Sequence, residues 1–165
     1  MRRKLTVNLL LSIIFLTALA IGGCFDNDKN LQLLDAAESG DLPTVKLLIQ
    51  HGVPINYTSS AKFGWTPLIG AIFHHQTNVV YYLVQSGAVV NLADKNGVTP
   101  LMWLASWRDD AVPLVNYLIA RRANLDAKDK YGATVFAAAK GDPPATKLIE
   151  VLENAKLEQE NKSRK

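Results

Sequence analysis

FGWTPLIGAI (residues 63–72), NGVTPLMWLA (96–105) and YGATVFAAA (131–139) are three copies of one pattern. Each runs glycine, any residue, threonine, then an apolar stretch. Thr66 and Thr99 stand 33 residues apart, and Thr99 and Thr134 stand 35 apart. In the first two copies the threonine reads as a helix cap, and Pro67 or Pro100 fills the first turn, where a missing N–H is harmless. A second frame runs beside the first: VKLLIQHGVPIN (45–56), VYYLVQSGAVVN (80–91) and VNYLIARRANLD (115–126). Gly52, Gly87 and Arg122 fall in it at steps of 35. The two glycines are expected to end helices in the left-handed conformation. Arg122 would take that conformation at a cost of about 1 kcal/mol.

A step of this length, with a turn and two helices per unit and Thr-Pro-Leu opening the first, resembles the ankyrin repeat. The resemblance runs from about Leu31 to Leu152. It implies an all-α fold, an ankyrin-repeat solenoid of about four helix-turn-helix units with β-turn fingers. Ala36, Ala37, Ala71 and Ala105 let the short first helices approach one another. Leu47–Leu48, Leu83–Val84 and Leu118–Ile119 belong to second helices stacked in one core. Trp103 and Tyr82 are assigned to packing. The outer units are expected to act as caps, since each unit buries its face only against neighbours. In the last unit Thr134-Val135 replaces Thr-Pro, and GDPPAT (141–146) restarts the second helix after two prolines. Two loops are lengthened. SWRDDAVP (106–113) inserts two residues between helices, and its Asp109-Asp110 is expected to cap the helix that follows. NYTSSAKFG (56–64) is two residues longer than NLADKNG (91–97).

The resemblance also implies where a partner is read: on the fingers around each glycine and at the ends of the first helices, along the concave side. Carried onto this chain, those positions are Lys62, Phe63, Trp65, Phe73 and His74. The next finger contributes Lys95, Asn96, Val98, Ser106 and Trp107, and the last Lys130, Tyr131 and Ala133. Phe63, Trp65, Phe73, Trp107 and Tyr131 would make an aromatic patch of the kind that anchors interfaces. For each aromatic singly a second placement stays open. Phe63 could fold back on Trp65, and Trp107 could tuck under the inserted loop.

The first 23 residues start basic (Arg2, Arg3, Lys4), continue apolar and end in small residues, which is the pattern of an export signal. Ile21-Gly22-Gly23-Cys24 resembles the lipobox of bacterial lipoproteins, in which the cysteine is acylated and becomes the first mature residue. Cys24 is the one cysteine of the chain, so no internal disulfide is open to it. The resemblance implies a lipid anchor at Cys24, and Phe25 in place of an aspartate favours the outer membrane, with the chain facing the periplasm. Removing residues 1–23 takes away three basic residues and no acid, leaving 15 basic against 15 acidic. No basic stripe for nucleic acid remains. Residues 24–30 are read as lipidated cysteine and tether, 31–152 as the repeat domain, and 153–165 as a fraying charged tail.

No constellation of residues calls for catalysis. His74-His75 are adjacent, so on a helix they do not converge on a metal. No nucleophile elbow or phosphate loop is present. Catalytic residues, metal ligands and cofactors are therefore expected to be none. A protein partner is expected: a secreted toxin effector, such as a type VI phospholipase, neutralised by an immunity protein, or a resident periplasmic enzyme supported by a scaffold. A structural role on peptidoglycan is a third class.

Overall fold

The computed structural model describes residues 28–141 and 143–164. Its elements are helices joined by turns, with no strand among the described residues. Helix α1 covers residues 28–39. The rest are α2 (Leu42–Gln50), α3 (Pro67–Phe73), α4 (Thr77–Gln85), α5 (Pro100–Ala105), α6 (Val112–Ile119), α7 (Val135–Ala139) and α8 (Thr146–Ser163). A short 3-10 turn, Arg108–Ala111, precedes α6. The first helices pack in one layer, α3 on α5 and α5 on α7. The second helices form the other, α2 on α4 and α6 on α8. One continuous apolar core, including Leu33, Leu68, Leu83, Leu101, Leu118 and Leu148, runs between the layers.

Local chemistry starts and stops these helices as the repeated threonine and glycine require. The Thr66 hydroxyl accepts from the Ile69 amide at 3.1 Å, and Thr99 from that of Met102 at 3.3 Å. Thr134 makes no such cap. Helices α2 and α4 end in paired bonds: the Gly52 and Val53 amides donate to Ile49 and Leu48, and those of Gly87 and Ala88 to Val84 and Leu83. The residue after each cap is left-handed, Gly52 at φ 82° and Gly87 at φ 96°. Arg122, one residue further past the end of α6, is left-handed too, at φ 64°, and closes it with the same paired bonds, its amide donating to Ile119 and that of Ala123 to Leu118. The four alanines that shape the first helices are all buried. Gly70 lets α3 approach α1 more closely still: a Cβ there would lie 2.9 Å from Leu34 Cδ1.

Three fingers join the units. In the second and third an aspartate closes the tip: Asp94 Oδ1 accepts from the amides of Asn96 and Val98, and Asp129 Oδ1 from those of Tyr131 and Ala133. The longer first finger closes on buried Ser59 instead, whose amide donates to Trp65 O at 2.9 Å. Successive fingers are bonded: the Lys95 amide donates to Phe63 O, and the Lys130 amide to Asn96 O.

Four expectations change. Residues 28–30 already belong to α1 rather than to a tether. The segment from Glu153 continues α8 to Ser163 instead of fraying. It is rich in Leu, Glu, Lys and Ala, Ala155 packs on the core, and Lys156 pairs with Asp126. Leu47 is exposed, because among the described residues no unit precedes α2 to cover it. Asp109 does not cap α6. Its carboxylate accepts from the Leu148 amide at 3.0 Å, in the first turn of α8, whose own cap residue Ala145 has no side chain to offer. Residues 1–23 and Cys24 lie outside the described residues, and so does their reading as signal and anchor.

Candidate protein-binding surface

Trp65 sits between Gly64 and the Thr66 cap, so the finger delivers its ring directly to the start of α3. Phe73 ends α3, and Trp103 lies two helices further on, in α5. The three rings converge: Trp65 to Phe73 at 4.7 Å, Trp65 to Trp103 at 5.7 Å and Phe73 to Trp103 at 5.4 Å between centroids. Phe73 keeps 44% of its surface exposed. Phe63 stands apart from this cluster, 68% exposed, on a left-handed backbone at φ 52°. Phe63, Trp65 and Trp103 line a slot of about 230 Å³ together with Asp94 and Asn96. Half-buried Val98 holds the position in the second finger that Trp65 holds in the first.

Lysines stitch the fingers to what precedes them. Lys95 Nζ donates to Ser60 O at 3.0 Å, and Lys130 Nζ to Asn96 Oδ1 at 2.7 Å. Lys62 turns back onto α1, its Nζ 2.6 Å from Glu38 Oε2 and 2.9 Å from Asp35 Oδ1. Partial burial works against the Lys62 charge, but the hydrogen bonds and attraction of the two carboxylates outweigh it and raise the ammonium's pKa above the ordinary lysine value. His74 lies beside the same carboxylate, Nε2 to Glu38 Oε2 3.9 Å. These four side chains thus have partners within the chain, which sequence spacing alone does not reveal. Among the described residues no group of three or more His, Cys, Asp or Glu could hold a metal ion.

The family description "Ankyrin repeats (3 copies)" matches residues 33–129. The chain is an ankyrin-repeat protein. Over 103 residues it is 36% identical to Ankyrin repeat and SAM domain-containing protein 6 of Rattus norvegicus, covering 61% of this chain and 12% of the relative. Over 107 residues it is 31% identical to Ankyrin repeat and SOCS box protein 6 of Homo sapiens, covering 65% of this chain and 25% of the relative. BRCA1-associated RING domain protein 1 of Caenorhabditis elegans shares 27% over 118 residues, 72% of this chain and 16% of its own. The chain therefore spans a quarter or less of the length of these relatives, and the likeness is one of repeats.

Within this ankyrin array not every expected residue reaches the finger face. Trp107 is 9% exposed, and its indole N–H donates to Ile72 O at 3.0 Å while the ring stacks on His75 at 4.3 Å. The inserted turn folds it against the end of α3, where a helix leaves carbonyls in need of donors. It is a packing residue, which corrects its place in the exposed patch. Tyr131 is 82% exposed but carries only its own Lys130, 4.8 Å over the ring, and makes no ring contact with the cluster. Ser106 is exposed and spends its hydroxyl on Trp103 O at 2.7 Å. Conversely, Trp103, expected to pack, is half-buried within the aromatic cluster. Asp94 joins it in the slot. Its recurrence as Asp129 at the tip of the next finger was the available signal. Tyr82 is half-buried as expected, with Lys46 Nζ 5.5 Å from its ring.

Proposed function

We propose that this ankyrin protein binds one protein partner through the finger face, with Phe63, Trp65, Phe73 and Trp103 as the anchor. The observation that carries the reading is the convergence of three large rings on a partly exposed surface, beside a fourth held out on a left-handed backbone. Ankyrin repeats serve protein–protein binding. Clustered aromatics at the centre of an interface contribute about 2 kcal/mol or more each when buried. The left-handed Phe63 adds to this, since such strain collects at functional positions.

The finer reading rests on the sequence. Cys24 would hold the array at the bacterial outer membrane on the periplasmic side, and the bound protein would be a secreted effector whose active-site mouth the finger face covers. That is the role of an immunity protein: inhibition by occlusion, with no chemistry of its own. The full chain, a Phe63→Ala/Trp65→Ala variant and a Tyr131→Ala control would be used as baits against envelope and secreted fractions. A hydrolase retained by wild type and control, lost by the double variant and inhibited stoichiometrically by the chain is the expected result. A resident enzyme that stays active when bound would replace immunity with a scaffold role. Equal capture by all three baits would remove the aromatic face from the reading. Cys24→Ser should abolish palmitate labelling and release the chain from membranes; unchanged labelling would sink the anchor.

A further inference from the structure

Three tyrosine rings elsewhere in the array lie under its own cations. Lys46 lies over Tyr82, Arg121 Cζ lies 3.6 Å over Tyr117, and Lys130 lies over Tyr131. Phe63, Trp65, Phe73 and Trp103 have no such cover among the described residues. The slot between Phe63, Trp65 and Trp103 also contains a carboxylate. Asp94 is only 7% exposed and has no ion-pair partner among the described residues. Its Oδ1 is committed to the two backbone amides that close the finger tip. Oδ2 accepts only the long 3.3 Å bond from the Trp103 indole. The lysines that could have neutralised it are held elsewhere, Lys95 on Ser60 O and Lys62 on α1.

A buried carboxylate with no ion partner among the described residues, in a slot lined by aromatic residues, lacks one thing, a positive charge. We propose that this slot takes a cationic side chain of the partner protein, an ammonium or guanidinium seated between Phe63, Trp65 and Trp103 and hydrogen-bonded to Asp94 Oδ2. The inference rests on the finger face being the binding surface and adds the chemistry of the anchor it receives. Oδ2, engaged only by the long Trp103 bond, suits one further N–H donor, and the aromatic lining suits its charge.

Capped pentapeptides with a central lysine, arginine, N-acetyl-lysine or norleucine flanked by glycines provide the probe. The chain holds three tryptophans, so its indole N–H resonances report the site and supply a control at once. Lysine or arginine peptides should shift Trp65 and Trp103 saturably and leave buried Trp107 in place. Acetyl-lysine and norleucine should bind about tenfold more weakly, and the stronger of the two cationic peptides identifies the head group. Asp94→Asn should lower the cationic peptides to the neutral level, while Asp129→Asn, altering the same tip contact one finger on, should not. Norleucine binding as well as lysine, or Trp107 shifting in parallel, would overturn the cation site without recourse to any variant. Partner capture separates the two readings. Capture retained by Asp94→Asn but lost by Phe63→Ala/Trp65→Ala keeps the finger face and discards the cation. Capture indifferent to both discards the face as well.

Discussion

Arg122 stands where the two preceding units place glycine, and its backbone takes the same left-handed turn. Its carbonyl accepts from Asn91 Nδ2 at 3.0 Å, a bond that any residue there would preserve. Arg122→Gly should therefore raise stability by about 0.5–1 kcal/mol, the relief of strain exceeding glycine's greater loss of chain entropy. A higher urea midpoint at unchanged slope would show it; a lower one would mean that the exposed side chain does more than cover the turn. Gly70 is the opposite case. Its φ is ordinary, but a methyl group there meets Leu34 and Glu38, so Gly70→Ala should destabilise the fold by about 1–3 kcal/mol in the same measurement. Periodicity made Arg122's place readable because the turn is local. The need for Gly70 was not readable, because Leu34 and Glu38 reach it from another unit.

At the scale of the helix, capping divides the four units. Thr66→Ala and Thr99→Ala should each cost about 1 kcal/mol, whereas Thr134→Ala should change stability by a few tenths, its hydroxyl making no cap. Equal losses at all three would refute the assignment. Helix α8 borrows its cap from the inserted loop of the preceding unit, so Asp109→Ala should cost about 1 kcal/mol. Faster amide exchange in the first turn of α8, with α6 unchanged, would distinguish this cap from the one the sequence suggested. The lengthened loop thus supplies a donor for α3, through Trp107, and an acceptor for α8, through Asp109.

Across the whole molecule, units are joined by the finger ladder, by Lys62 to α1 and by asparagine side chains. Asn56 Oδ1 accepts the Val89 amide, and Asn91 Oδ1 that of Asn124. The Lys62 bridge has a pH signature. Because its pKa is raised in the folded chain, its contribution is fully present below the ordinary lysine value and is lost as pH rises through the folded value. The difference in urea midpoint between wild type and Lys62→Met should therefore shrink at strongly alkaline pH. A constant difference would assign the loss to packing alone.

The amino-acid order by itself determined the repeat step, the helix starts at Thr66 and Thr99, and the left-handed ends at Gly52, Gly87 and Arg122. Each of these depends on neighbours a few residues away or on a period shared by every unit. Tertiary structure alone decided that Trp107 is buried, that Trp103 and Asp94 belong to the aromatic slot, and that Asp109 serves α8. Trp107 and Asp109 find their partners 35 and 39 residues away. Those contacts form only once units stack, and the two inserted residues that aim them lie outside the repeat's own period.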